Sequence, residues 1–174
     1  MKILVINGSA RKGNTLTAIE AFAKGASGKH EVEVIAPDKL QIAPCKGCDA
    51  CECYKGCIDR DDTNPTIDKL TEAGMILFAT PVYWWGITAQ MKLVIDKCYC
   101  RGMQLKEKKV GAIVIGGAPT DGIQYELIRK QFECMGEFLA WDMVFHKSYS
   151  AGAGDELAKN EATIKELEQL GASV

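Results

Sequence analysis

Five of the eight cysteines fall within the thirteen residues from Cys45 to Cys57. Four follow the spacing Cys45-x2-Cys48-x2-Cys51-x5-Cys57, and Cys53 is an additional one. Thiolates at this spacing bind soft metal centres, either zinc or an iron–sulfur cluster. Zinc ribbons separate their ligand pairs by many residues, so the compact spacing favours a [4Fe–4S] cluster. A metal-free loop of thiols and a reversible disulfide remain open as alternatives.

A Gly- and Ser-rich turn, GSARKGNT, runs from Gly8 to Thr15. Small and hydroxyl residues leave backbone N–H groups free to bind an anion, and the dipole of a following helix adds to the attraction. The hydroxyls of Ser9 and Thr15 and the forked guanidinium of Arg11 suit phosphate oxygens. The turn has neither the Gly-Lys-Ser/Thr of a P-loop nor the dinucleotide pattern G-x-G-x-x-G. A plain turn with an Asn or Thr helix cap is the alternative.

Two further loops suit a flat heterocycle. The first, TPVYWWGI, carries three consecutive aromatic residues whose faces can stack on a ring, and its backbone N–H groups can reach the ring edge. A hydrophobic patch at a subunit interface explains these aromatics equally well. The second, IGGAPTDG, supplies glycines that permit close backbone approach to a ligand, although an ordinary strand-to-helix turn also accounts for it.

The elements that position these loops alternate between strand and helix. Apolar and alternating runs predict strands at Lys2–Asn7, Glu31–Ala36, Met75–Thr80, Lys109–Ile115 and Trp141–Ser148. Helical periodicity predicts helices at Asn14–Lys24, Pro65–Ala73, Ile87–Cys98, Gly122–Leu139 and Asp155–Leu170. This order predicts an α/β fold: a flavodoxin-like, doubly wound, five-stranded parallel sheet in the order 2-1-3-4-5, with helices on both faces. The loops after the strands then meet at one edge.

Length and composition indicate one globular domain over residues 1–174, with a cysteine-rich loop at about 43–62. Hydrophobic residues make up 47% and charged residues 25%. The net charge of −2 gives no basic excess, which argues against nucleic-acid binding, and no apolar run suggests a membrane span. The N-terminal residues lack the apolar stretch of a signal peptide, so we expect a cytoplasmic protein with reduced cysteines.

Four segments together resemble a known family: GSARKGNT, PCKGCDAC-x5-C followed by Asp61-Asp62, PVYWWG, and MKLVIDK. From Met1 to roughly Ser150 the chain resembles the NAD(P)H-dependent FMN reductases and iron–sulfur flavoproteins of the flavodoxin-like superfamily. The resemblance implies that the first loop binds the FMN phosphate and that two later loops flank and close on the isoalloxazine ring. It assigns the phosphate to Ser9, Arg11, Gly13, Asn14 and Thr15, and the ring to Pro81, Val82, Tyr83, Trp84, Gly86, Gly116 and Gly117.

The same resemblance implies a [4Fe–4S] cluster on Cys45, Cys48, Cys51 and Cys57, with Cys53 a bystander. The expected function is an oxidoreductase whose chemistry takes place on FMN. It would move electrons from NAD(P)H or a reduced ferredoxin-like donor to a flavin, quinone or other acceptor, directly or through the cluster. Members of this family assemble as dimers or tetramers, so the resemblance implies a homodimer or homotetramer with flavin sites at subunit contacts. Two alternatives are a non-enzymatic electron carrier and a metal-binding interaction module without flavin.

Overall fold

Five parallel strands form one sheet in the order β2-β1-β3-β4-β5 in the computed structural model, which describes all 174 residues. The strands are β1 (Lys2–Asn7), β2 (Glu31–Ile35), β3 (Met75–Pro81), β4 (Lys109–Gly116) and β5 (Asp142–Ser150). The predicted order is confirmed. Because β2 and β3 lie on opposite sides of β1, the strand order reverses beside β1, which is where open α/β sheets bind their ligands.

Five helices cover the two faces of the sheet. They are α1 (Asn14–Ala26), α2 (Thr63–Glu72), α3 (Ala89–Lys97), α4 (Ile123–Leu139) and α5 (Glu161–Ser173). The buried side chains of α1 and α5 share one apolar core with the sheet, and those of α2, α3 and α4 share the other. None of these helices is long and apolar enough to cross a membrane.

α1 and α5 lie in backbone contact. A Cβ added to Gly25 would be 1.9 Å from the carbonyl oxygen of Glu168, and one added to Gly171 would be 2.0 Å from that of Phe22. Since real Cβ atoms do not approach so closely, only glycine permits this packing. The C-terminal helix is thereby fitted against the helix that follows β1.

α3 is shorter at both ends than the predicted Ile87–Cys98. Thr88 caps its start, because its Oγ1 accepts a hydrogen bond from the N–H of Met91 at 3.2 Å. The helix ends at Lys97, and the chain continues as a 3-10 segment over Cys98–Leu105. Lys97 therefore lies at a turn in the chain and not within a continuing helix.

α2 and α5 also begin at different residues from those predicted. α2 begins at Thr63, before Pro65, because the missing N–H of a proline in the first turn breaks no helical hydrogen bond. α5 begins at Glu161, later than the predicted Asp155, because the Asn160 side chain caps it by accepting a backbone hydrogen bond at 3.1 Å. α5 also ends three residues later than predicted, at Ser173 and not Leu170, and the other predicted boundaries agree with the structure to within two residues.

Candidate functional site

A cleft of about 200 Å³ opens at the carboxyl edge of the sheet, where the loops after β1, β3, β4 and β5 meet. Ten of the twelve predicted flavin residues line it: Ser9, Arg11, Gly13, Asn14, Thr15, Pro81, Val82, Tyr83, Gly116 and Gly117. Trp84 and Gly86 lie outside this lining. Residues separated by more than 100 positions in the chain thus share one wall, as the predicted strand order requires.

The start of α1 forms the polar end of the cleft. Gly13 occupies the cap position, so no side chain caps the helix, and the N–H groups of Asn14, Thr15 and Leu16 have no acceptor within the chain. The hydroxyl of Thr15 also has no partner there. Free N–H groups at a helix N-terminus, aided by the helix dipole, bind anions such as phosphate.

The turn that leads into α1 is shaped by Ser9. Its N–H donates to Oδ1 of Asn7 at 3.0 Å, and its Oγ both accepts from the N–H of Arg11 and donates to the Arg11 carbonyl, each at 3.2 Å. The guanidinium of Arg11 has no carboxylate partner and lies 5.7 Å from the ring centre of Tyr83. Arg11 therefore remains free for an anion, while Ser9 orders the turn around it.

The side chain of Asn14 is bound to a loop that the sequence reasoning did not include. Its Nδ2 donates to the carbonyl oxygens of Ala151 at 3.3 Å and Ala153 at 2.5 Å, and its Oδ1 accepts from the N–H of Leu157 at 3.0 Å. Asn14 is thus placed at the cleft as predicted, but only its backbone N–H remains to meet a phosphate.

The segment 151–154, Ala-Gly-Ala-Gly, supplies three further lining residues, namely Ala151, Gly152 and Gly154. It follows β5 directly, and its Gly-rich composition matches the loops after β1 and β4. That composition, at the carboxyl end of a strand, is the signal by which sequence analysis could have found it. The loop lies against the loops after β1 and β4, because Gly154 approaches Gly13 and Gly152 approaches Gly117.

The segment Tyr83–Gly86 is a tight hairpin. Tyr83 and Gly86 exchange two backbone hydrogen bonds of 2.9 and 3.0 Å, and between them Trp84 and Trp85 adopt left-handed φ values of 48° and 64°. Positive φ at both central positions is the pattern of a type I′ turn, and it strains residues with bulky side chains. Strain of this kind concentrates at functional sites.

The hairpin determines which backbone N–H groups of the segment Tyr83–Gly86 are free to donate to a ligand. The N–H groups of Tyr83 and Gly86 are bonded within the hairpin, whereas those of Trp84 and Trp85 have no acceptor in the chain. The Trp84 side chain is 91% exposed and meets the ring of Trp85 edge-on, with 5.4 Å between ring centres. The two tryptophans thus form an apolar rim beside the cleft.

The loop after β4 comes close to Val82, the residue that precedes the Tyr83–Gly86 hairpin. A Cβ on Gly116 would lie 2.9 Å from both Cγ2 of Val82 and the hydroxyl oxygen of Tyr125. That hydroxyl donates to the carbonyl of Ala118 at 2.9 Å, which anchors the loop. Burial raises the pKa of Tyr125, so its hydroxyl stays protonated and keeps donating. The glycine lets the β4 loop approach a ligand in the cleft.

The cysteine loop surrounds a second cavity of about 420 Å³. All four predicted metal ligands line it, Cys45, Cys48, Cys51 and Cys57, together with Cys100 from the 3-10 segment after α3. Cys53 does not, because its Sγ points to Gly102, where a Cβ would be 3.1 Å away. All eight cysteines are free thiols. No three or more His, Cys, Asp or Glu side chains stand close enough together to bind a metal ion.

The cysteine loop has no regular structure and bends through left-handed residues. Positive φ values occur at Gly47, Asp49, Glu52, Cys53 and Gly56. Its two ends are nevertheless pinned. Asp62 Oδ2 accepts from the N–H of Gln41 at 2.7 Å, and the Asn64 side chain exchanges two hydrogen bonds of 2.8 Å with the backbone of Cys57. The ends are therefore held while the segment with Cys45 and Cys48 stays exposed.

Asp61 also holds the cysteine loop, through hydrogen bonds to its backbone. Its carboxylate accepts 2.9 Å hydrogen bonds from the N–H groups of Ala43 and Thr63. Burial opposes its ionisation, but these hydrogen bonds outweigh burial and lower its pKa. The Asp61-Asp62 pair that marks the motif thus has a structural role. At the back of the cavity, burial raises the pKa of Cys100 to about 11, so that thiol is protonated at neutral pH.

Comparison with known proteins agrees with this geometry. The sequence profile of the family described as NADPH-dependent FMN reductase matches residues 1–136. The chain belongs to this family. An iron-sulfur flavoprotein of Archaeoglobus fulgidus is 36% identical over 130 residues, which are 72% of this chain and 64% of the relative. Another from the same organism is 31% identical over an alignment of 183 positions that covers 100% of this chain and 79% of the relative.

The first three curated relatives are matched over only 64% to 66% of their own length. Among solved structures, the azoreductase AzrA superposes with a TM-score of 0.78 at 14% identity, covering 100% of both chains. A flavodoxin from the domain Archaea gives a TM-score of 0.61 at 19% identity and covers 99% of this chain and 95% of the other. The flavodoxin-like fold is confirmed.

The cleft and the cysteine cavity share no lining residue, but α3 runs from one to the other. At its start, the hydroxyl of Thr88 donates to the carbonyl of Gly8 at 2.7 Å, next to the cleft. At its end, Lys97 lines the cysteine cavity. Nine residues at 1.5 Å each place the two ends about 13 Å apart. The two sites are thus neighbours along one helix.

Proposed function

We propose that this chain is an FMN-dependent oxidoreductase that takes electrons from NAD(P)H or a ferredoxin-like protein and passes them to a flavin, quinone or other acceptor. The observation that carries the proposal is the uncapped N-terminus of α1. Its free N–H groups face a cleft at the point where the strand order reverses, beside a cationic side chain without a partner. Membership of an FMN reductase family supports the same cofactor.

The residues of the cleft suit the shape of FMN. The N–H groups of Asn14, Thr15 and Leu16, with the Arg11 guanidinium, would hold the phosphate. A Cβ on Gly117 would lie 3.4 Å from Cα of Gly152, so bare backbone from two loops lines the middle of the cleft. The N–H groups of Trp84 and Trp85 would donate to the edge of the ring, where negative charge develops on reduction.

FMN would supply the redox chemistry, and the titratable side chains that line the cleft are Arg11, Lys12 and Tyr83. No Asp, Glu, His or Cys lines the cleft. The chain's own contribution is to bind and orient the cofactor and to donate backbone hydrogen bonds to it.

The cysteine cavity suits a [4Fe–4S] cluster on Cys45, Cys48, Cys51 and Cys57. The donors are soft thiols, they line one cavity, and Cys53 points away from it. If these four groups closed on one centre as thiolates, they would repel one another unless a metal centre neutralised them. Two relatives above 30% identity are named iron-sulfur flavoproteins. When bound, such a cluster would exchange single electrons. We place the protein in the cytoplasm, where reducing conditions preserve free thiols.

The apolar rim argues for association of subunits. Tyr83, Trp84 and Trp85 are exposed, and so are Ile123 and Leu127 at the start of α4. Val82, Trp84 and Trp85 share a shallow hollow with Gln124, which joins the hairpin to that helix. Apolar surface of this kind is normally covered, so a second copy of the chain would bury it beside the flavin. A homodimer or homotetramer follows.

Anaerobic purification followed by absorption spectroscopy and assays of FMN, iron and acid-labile sulfide tests the proposal. We expect one FMN per chain, four irons per chain after reconstitution, and steady oxidation of NADH or NADPH in the presence of a quinone. A protein that binds FMN yet reduces no quinone with NADH, NADPH or reduced ferredoxin as the donor is an electron carrier. A colourless protein that contains zinc is a metal-binding module, and that result overturns the proposal.

A further inference from the structure

Lys97 occupies a position on α3 that ordinarily belongs to an apolar residue. The buried side chains of this helix are Met91, Val94 and Lys97, which repeat every three residues along one stripe. Lys97 is only 2% exposed. Burying an ammonium group is strongly unfavourable unless the charge is paired, so its place in the stripe needs a reason.

The ammonium group of Lys97 points into the cysteine cavity. Its Nζ donates to Oδ2 of Asp59 at 2.7 Å and to Sγ of Cys57 at 3.3 Å. It makes no hydrogen bond to the last carbonyl groups of α3, so stabilisation of the helix end does not explain its direction. The buried charge is aimed at a carboxylate and at one of the four clustered thiols.

Asp59 alone does not account for this arrangement. The same carboxylate also pairs with Lys46, whose Nζ lies 3.4 Å from Oδ1. The Lys46 side chain is 71% exposed and Asp59 is at the surface of the cavity, so an exposed partner was already available. Asp59 is therefore shared between two cations, and the Lys97 ammonium also faces the sulfur of Cys57. The carboxylates of Asp49 and Asp96 also line the cavity, but Lys97 hydrogen-bonds to neither of them, so the Cys57 sulfur is its second partner.

We propose that Lys97 is a positioning residue that raises the reduction potential of the metal cluster held by this cavity, through its hydrogen bond to the Cys57 sulfur. The inference rests on the proposed [4Fe–4S] cluster. Reduction adds one electron from the flavin or a ferredoxin-like donor and moves no proton, so the cluster becomes more negative by one charge. A fixed ammonium at 3.3 Å favours that state, because hydrogen bonds to ligand sulfurs help to set cluster potentials.

The test is a spectroelectrochemical titration of the reconstituted protein in wild-type, Lys97→Met, Lys97→Arg and Lys46→Met forms. We expect Lys97→Met to shift the one-electron equilibrium at least tenfold towards the oxidised cluster, which is about 59 mV. Lys97→Arg keeps the charge and should shift it less than half as far. Lys46→Met removes a charge that solvent screens and should leave the potential unchanged.

A double variant separates the hydrogen bond from net charge. Lys97→Met leaves the negative charge of Asp59 paired only with Lys46, and this change in net charge would by itself lower the reduction potential of the cluster. Asp59→Asn combined with Lys97→Met removes both charges, so the net charge of the cavity is that of the wild type. We expect the double variant still to have a lower potential than the wild type. A wild-type potential there would show that only net charge matters and would overturn the role given to the Cys57 bond.

The outcomes also separate this inference from the proposed function. A wild-type protein without stoichiometric iron overturns the cluster and the inference together. A wild type with a cluster and a Lys97→Met variant of equal potential overturn the inference alone. If Lys97→Met loses iron but keeps FMN while Lys97→Arg retains both, the requirement for a cation is supported. Loss of iron in both variants, with FMN retained, would mean that Lys97 acts through its packing and not its charge.

Discussion

Gly13 and Gly154 are in backbone contact at the α1 end of the cleft, and a Cβ on Gly13 would lie 2.8 Å from the carbonyl oxygen of Gly154. The two residues are far apart in sequence, yet their backbones meet where α1 begins. Gly13→Ala should push the 151–154 segment away and weaken FMN binding about tenfold, or about 1.4 kcal/mol. Isothermal titration with FMN measures this. Gly28→Ala is the matched control, since nothing lies within 4 Å of that position; equal affinity in both variants would contradict the prediction.

Arg11→Ala should weaken FMN binding by about 1.5–3 kcal/mol, the range for a hydrogen bond to a charged group. The guanidinium has no carboxylate partner in the protein, so its removal disturbs little besides the ligand contact. The dissociation constant for FMN, measured by fluorescence quenching, gives the answer. Lys29→Ala removes an exposed cation far from the cleft and serves as the control. An unchanged constant in Arg11→Ala would remove Arg11 from the site.

Asn14→Ala and Asn14→Asp should differ in a way that identifies the role of this side chain. Alanine releases the segment 151–157 and should lower both the FMN affinity and the melting temperature. Aspartate can still accept from Leu157, but it places a carboxylate against the carbonyl oxygens of Ala151 and Ala153. We therefore expect aspartate to bind FMN more weakly than alanine does. The reverse order would show that the clamp on this segment does not govern the cofactor site.

Replacing Trp84 by Asn and Trp85 by Gly should separate folding from association. Asn-Gly suits a type I′ turn, so relief of two strained backbones should stabilise the subunit by about 1–3 kcal/mol, measured by urea unfolding. The same change removes the apolar rim and should dissociate the oligomer, measured by light scattering with FMN bound. An assembly of unchanged mass would exclude the rim as the subunit contact, and a monomeric wild type would exclude the proposed association.

Acid should loosen the cysteine loop through Asp61. Its pKa is lowered in the folded protein, so its contribution to stability is complete above the unfolded value of about 3.9 and is lost as the pH falls towards the folded pKa. Asp61→Asn should therefore be less stable than the wild type at pH 7, and the difference should shrink by pH 3. Urea unfolding at the two pH values tests this. A difference independent of pH would assign the effect to lost packing.

The parts of the structure that sequence reasoning predicts are those set by local pattern. The apolar run of β1 ends where it was expected, at Asn7, and the alternation of strands and helices led to the correct strand order. Because carboxyl ends of parallel strands share an edge, the same reasoning brought Arg11, Tyr83 and Gly116 to one cleft.

The parts that it could not predict depend on distant partners. Asn14 is a helix-start residue in the sequence, but its side-chain partners lie 137 to 143 residues away. Trp84 and Trp85 favour extended or helical backbone, and only the pairing of Tyr83 with Gly86 places them in a left-handed turn. The sequence alone places Lys97 at the polar end of a helix, and only the packing of the cysteine loop shows that this side chain lines a cavity.

The backbone contact of α1 with α5 links cofactor binding to the order of synthesis. The turn that would bind the phosphate leaves the ribosome before the segment 151–154, which forms one wall of the cleft, and before Gly171, where α5 packs on α1. An emerging chain can therefore form β1 and α1 early and still lack the groups that retain a flavin. Capture of a flavin would then follow translation of α5.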